Sequence, residues 1–361
     1  MKNIIKKAGI ILTVVLLIGQ FTSCKKSVKE TTPLAIHLEN QQEKETLEVL
    51  KLRKPIVFIT GIDKGENLFY INARSYFKEK NIQIIEGAYS LEEIILWMNK
   101  NATKNPFGEI HIVNKHIFGK GLSLETVVNG EKITAETLRK SIIQGEIPEL
   151  HNVVTNNTKI IFHSNGLGEN TALIHILKEV FMTDKVPSIV ASSYYSVFGG
   201  EFSNHYLAKP YYIFYPTANS PGKVDLSKEI AKKYTEEKEI DWYNALNNET
   251  ERYIGEAYTK QFLVPVKWEF DYHNSDNEIP NFTSQEEIMD WIEENEELNN
   301  EIAKIEIPLE KFRWKWSVKN STLTIKGRTT VLCVLKPLLK PYGDLKYIEP
   351  DTNNKRLFAL K

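Results

Sequence analysis

Three short stretches bring potential nucleophiles and bases to the ends of apolar runs. Lys159-Ile-Ile-Phe-His-Ser-Asn-Gly-Leu-Gly168 breaks from an apolar run into His163, Ser164, Asn165 and glycine, then opens an amphipathic helix. Glu109-Ile-His-Ile-Val113 ends in Asn114-Lys115-His116-Ile-Phe-Gly119, and Ser188-Ile-Val-Ala-Ser192 ends in Ser193-Tyr194-Tyr195. A serine nucleophile needs a base within hydrogen-bond reach and amide donors for the developing oxyanion. Ser164 is the candidate nucleophile, with His116 or Lys115 as its base. His163 adjoins Ser164, but neighbouring strand residues point to opposite faces, so it reads as a structural histidine. His111 and His175 read the same way. His111 and His116 lack a partner set at ligand spacing, and no metal or cofactor is expected. Gly166-x-Gly168 before a helix has the form of an anion cradle. Tyr194 and Tyr195 with Ser192 and Ser193 either line the same cleft or form a surface loop.

These residues need a sheet to hold them. Pro55–Thr60, Ile82–Ile85, Glu109–Val113, Lys159–Phe162, Ser188–Ser192 and Tyr211–Tyr215 read as six strands, the first a continuous β-branched run as in a strand buried on both faces. Helices alternate with them. One spans Glu66–Lys80, another follows the capping box Ser90-Leu-Glu-Glu93, and two more cover Thr134–Ile143 and Glu169–Phe181, with Gly121–Gly130 a hairpin. The alternation predicts an α/β fold with a doubly wound, mostly parallel six-stranded sheet, whose carboxyl edge collects the polar residues. Pro216–Gly222 breaks this pattern. Beyond it come helices over Asp225–Lys238, on to about Lys260 and again after Ser284, and strands at Phe262–Phe270, Phe312–Val318, Thr322–Ile325 and Thr329–Leu335, which predict a smaller α+β domain. Phe312-Arg-Trp-Lys-Trp-Ser317 alternates aromatic and basic residues. That pattern fits a binding platform, or one core-facing strand face with its lysines in water.

The 361 residues carry a formal charge of −1, and the three lysines of residues 1–23 leave about −4 on the rest. No nucleic-acid footprint emerges. Residues 1–24 have a basic start, an apolar run over Ala8–Gly19 too short to span a bilayer, and Thr22-Ser23-Cys24. This resembles a bacterial lipoprotein signal of the Bacteroidetes type, with Phe21 a departure where an aliphatic residue is usual. It implies a lipidated Cys24, membrane attachment through that lipid, and residence in the cell envelope with the periplasmic side favoured. Residues 25–53 read as a polar tether, 54–222 as the α/β domain and 223–361 as the α+β domain. Cys333, the other cysteine, sits among Val331, Leu332 and Val334 as a small core hydrophobe.

Taken in order, the strand and Asp63, Ile110-His-Ile-Val113, the Gly-Leu-Ser-Leu hairpin, Ile-Thr-Ala-Glu-Thr-Leu138, the polar elbow and Ile-Val-Ala-Ser192 form a recognisable series. Over Pro55–Gly200 it resembles an uncharacterised bacterial caspase-like domain found near the start of cadherin-repeat and adhesin-like surface proteins. The resemblance implies a cysteine-peptidase fold with His-Gly after the third strand and cysteine at the elbow after the fourth. Here Lys115 stands at the histidine position, His116 at the glycine position and Ser164 at the cysteine position. Three readings follow: a degenerate site kept for binding or assembly with a protein or peptide partner, a serine hydrolase pairing Ser164 with His116, or another use of this edge, including Lys115 as base.

Overall fold

The run Ile56–Ile59 forms β1, buried along its whole length. In the computed structural model, residues 51–61, 67–117, 121–273 and 278–361 are described. The expected signal segment with Cys24, residues 25–50 of the expected tether, Asp63 and Gly119 therefore lie outside the described residues. Helix α1, Leu68–Glu79, begins where the Asn67 side chain accepts from the Phe69 amide, and β2 follows at Gln83–Ile85. Ser90 and Glu93 close the expected reciprocal cap on α2, Leu91–Lys100. Then come β3 (Glu109–Val113), the short β4 (His116–Ile117) and β5 (Gly121–Leu122), α3 (Ala135–Ile143), β6 (Lys159–His163), α4 (Thr171–Phe181) and β7 (Ser188–Ser192). A 3-10 turn over Leu167–Glu169 delays α4 beyond the expected start at Glu169, and Asn170 caps it by accepting from the Leu173 amide. The second half supplies β8 (Tyr195–Phe198), β9 (His205–Pro216), α5 (Lys223–Lys233), α6 (Trp242–Asn247), β10 (Tyr258–Asp271), α7 (Gln285–Glu294), α8 (Glu296–Ala303), β11 (Arg313–Lys319), β12 (Thr322–Pro337) and β13 (Phe358–Leu360).

The first sheet runs β13-β7-β6-β3-β1-β2, with β1, β2, β3, β6 and β7 parallel. This is the α/β fold with a mostly parallel six-stranded sheet. Its sixth strand is a correction. Tyr211–Tyr215 lies within β9 of the other sheet, and the sixth place is taken by β13, antiparallel to β7 through Ala359 opposite Ala191. Burial explains the placement: Tyr211, Ile213 and Tyr215 alternate into a core with Leu332, Val334, α5 and α6. The second sheet is antiparallel, β10-β12-β9-β8 with β11 also on β12, and it starts before the expected break at Pro216–Gly222. Its β12 is one continuous strand where two were expected. Lys51–Lys361 forms one compact unit.

Each face of the first sheet has its own cover. Ile56, Phe58, Ile110, Ile112, Ile160 and Phe162 pack under α2, α3 and α4. Val57, Ile59 and Val113 meet Tyr70, Ala73 and Phe77 of α1 and Phe198 of β8, while Ile161 and Val190 meet Leu207 of β9 and Phe358. Each such side chain contributes about 1.5–3 kcal/mol of burial. The carboxyl ends of β3 and β6 are therefore rigidly held neighbours. Among the described residues no helix is long and apolar enough to cross a membrane.

Candidate active site

Strand pairing sets the edge. Val113 pairs with His163, so the residues that follow, Asn114 and Ser164, leave adjacent strands together. Ser164 is 1% exposed, and its Oγ makes no hydrogen bond among the described residues. Two further buried atoms nearby, Asn114 Oδ1 and Asn165 Oδ1, are also unpartnered. The other end of the Asn114 amide is fully used, since Nδ2 donates to Thr60 O at 2.9 Å and to Ser123 O at 3.1 Å. It ties the ends of β1 and β3 to the β5 segment. Thr60 Oγ1 in turn donates to Ala88 O.

His116 is buried, and its Nδ1 lies 2.9 Å from Asn165 O, the carbonyl next to Ser164. A carbonyl can only accept, so Nδ1 carries the proton and a neutral ring has its lone pair on Nε2. Burial lowers the His116 pKa from the usual 6.5 and so favours that neutral form, opposed by the bond to Asn165, which favours the charged one. Such an imidazole is oriented as a base would be. The bond from Nε2 to Ser164 Oγ that would complete a dyad is absent.

Lys115 takes the other side. By alternation, Lys115 follows Val113 toward α1, whereas Ser164 follows Phe162 toward α4. The Lys115 amide donates to Tyr70 Oη at 3.1 Å, and its charge is felt at Lys260 on β10. Of the two candidate bases, the fold brings His116 and not Lys115 to the elbow.

The elbow's backbone is committed internally. Gly166, in the left-handed region at φ 67°, donates its amide to Tyr194 O at 3.2 Å, and Leu167 N–H reaches back to Ser164 O at 3.3 Å. Those two amides are not free to face an oxyanion. Gly168 packs so closely on β7 that a Cβ would lie 2.5 Å from Ser193 N and 2.6 Å from Ser192 C. Ser192 is structural, its Oγ donating to Leu357 O at 2.8 Å and accepting from the Tyr194 amide at 3.0 Å. Tyr195 belongs to the second sheet, where its hydroxyl accepts from Tyr212 at 2.9 Å.

The opposite face of β6 carries a group that sequence reasoning did not assemble. His111 Nδ1 lies 3.0 Å from His163 Nε2 with the rings stacked. His205 meets His163 edge-on at 5.7 Å, stacks on Phe198 at 4.4 Å, and shares a 2.8 Å hydrogen bond with Ser196 Oγ. Phe77 closes the cluster against both His111 and His163. Burial pushes His111 down to about 4 and holds His163 well below its usual range, with His111 and His205 adding to the effect on His163. The register of Val113 with His163 is the signal that would have joined them, and it is a property of the pairing, not of either strand. Among the described residues no group of three or more His, Cys, Asp or Glu side chains is arranged to hold a metal ion. The thiol of Cys333 is buried in the second sheet and pushed up by burial to about 12.

Comparison of the chain with protein-family models, with curated proteins and with solved structures finds no match.

Proposed function

We propose that this chain is a lipid-anchored protein of the bacterial cell envelope whose first sheet carries a degenerate caspase-like site, retained to bind or assemble with a protein or peptide partner. One observation carries this reading: the Ser164 hydroxyl, at the position where the resemblance requires a nucleophilic thiol, is buried and unbonded to the imidazole beside it. The commitment of the Gly166 and Leu167 amides within the elbow supports it. So does Cys333, whose high pKa and remote strand make it no substitute nucleophile.

A second reading has its own support. His116 presents Nε2 as an acceptor on the Ser164 side of the sheet, so a small rotation on ligand binding could complete a serine–histidine pair. A fluorophosphonate probe separates the two. The degenerate site leaves the purified protein unlabelled and inert toward a peptide library. Labelling and turnover that vanish in Ser164→Ala establish the hydrolase and end the first reading. The anchor is tested apart from the site, by mass spectrometry of the mature N-terminus. A diacylglyceryl adduct on Cys24, and release or arrested processing in Cys24→Ala, is the expected result; an unmodified Cys24 removes the anchor.

A further inference from the structure

The outward face of the second sheet changes character along β12. Leu332 and Val334 are covered by α5 and α6, while Arg328 and Lys326, on the same face by alternation, are bare. Register places Arg328 between Pro265 and Arg313, and Lys326 between Lys267 and Lys315. These are two adjacent rows of cations, with cross-strand spacing of about 4.8 Å and about 6.8 Å between rows. The aromatic residues of Phe312-Arg-Trp-Lys-Trp-Ser317 play no part in the surface, since Trp314 is buried beneath Gly327 and stacks on Trp268.

Like charges directly opposite one another destabilise a sheet. Lys267 is compensated by Glu269 at 2.7 Å, but among the described residues no ion pair joins Arg313, Lys315, Lys326 or Arg328 to an acid. Protection of exposed strand edges explains part of the pattern, because lysines on edges deter strand addition. It covers Lys267 on β10 and Arg313 and Lys315 on β11. It does not cover Lys326 and Arg328, whose strand is flanked by both of those neighbours. The same cations, with Thr217 and Ala218, line a cavity of about 550 Å³.

We propose that this cavity is a binding site for a soluble oligophosphate-class anion, one with two or more phosphate groups. Arg313 and Arg328 offer planar forks for one phosphate, and the lysine row neutralises the next. A concave wall fits such a discrete ligand better than a flat membrane surface. The site is in the second sheet and does not depend on the reading of Ser164.

Inorganic tripolyphosphate is the probe, titrated calorimetrically into the whole protein. Saturable binding that weakens as sodium chloride is raised is expected. Lys326→Thr with Arg328→Thr should lower affinity by about tenfold or more, a difference of roughly 1.4 kcal/mol. The same variant should melt no lower than the parent, since it removes like-charge pairs and adds a strand-favouring residue. Lys100→Thr with Lys104→Thr, an equal charge change in the first half of the chain, should bind as the parent does. Absence of binding at low salt overturns the proposal, and so does equal weakening by both double variants. Binding to vesicles containing phosphatidylglycerol without binding of tripolyphosphate overturns it in favour of membrane contact.

Discussion

His163 and Ser164 are consecutive residues at one strand end, both buried, and their surroundings are opposite in kind. His163 faces a shaped set of partners, with a histidine at 3.0 Å, an aromatic ring edge-on, and a further histidine held by Ser196. Ser164 has no hydrogen-bond partner among the described residues, the neighbouring Asn114 and Asn165 amide oxygens are unpartnered too, and the histidine beside it is bonded elsewhere. A buried polar group with its partners in place belongs to the scaffold, whereas one without them marks a site that binds a ligand or has lost its chemistry. The two faces of one strand should therefore answer mutation in opposite ways.

The largest effect falls on the scaffold side. His163→Ala opens a cavity beside Phe77 and Phe198 and removes the partner of His111 Nδ1. A loss of about 3 kcal/mol is expected in chemical denaturation. A loss under about 1 kcal/mol would erase the contrast between the faces.

Acid should reach the same cluster. Burial holds His111 at about 4 in the folded protein, below the 6.5 of an unfolded chain, so unfolding takes up a proton between those values. Stability is full above pH 6.5 and falls as the pH drops toward 4, by on the order of 3 kcal/mol for His111 alone. Glu109 Oε2, 3.7 Å from His111 Nε2, offsets part of this loss when the ring is charged. His163 adds to the slope in the same direction. Replacing both with glutamine should flatten the pH dependence in that window, and an unchanged slope would assign acid sensitivity to the carboxylates instead.

Much of this geometry is legible in the sequence, and what is not legible there shares one cause. Alternation alone placed His163 away from Ser164, and the same rule applied to Lys115 after Val113 would have sent it toward α1. The parallel strands announced themselves as β-branched runs between amphipathic helices. Tyr211–Tyr215 has the same local appearance, yet it joins the other sheet, because its neighbours Leu332 and Val334 lie more than a hundred residues away. Phe358-Ala-Leu360 is too short to be read as a strand until β7 is there to pair with it. The histidine cluster was hidden for that reason too, since His111, His163 and His205 come from three strands joined only by the fold. Local pattern names elements, while pairing over long separations decides which side chains meet.

The smallest effect is the sharpest. Ser164→Ala removes a hydroxyl that has given up water without gaining a partner, so its loss should leave stability unchanged or raise it by about 0.5–1 kcal/mol. If Ser164→Ala instead costs more than about 1 kcal/mol, the hydroxyl is held by a bond that ties the elbow together. Ser164 would then join His163 as scaffold, and the edge would owe its polar residues to structure rather than to a lost or latent chemistry.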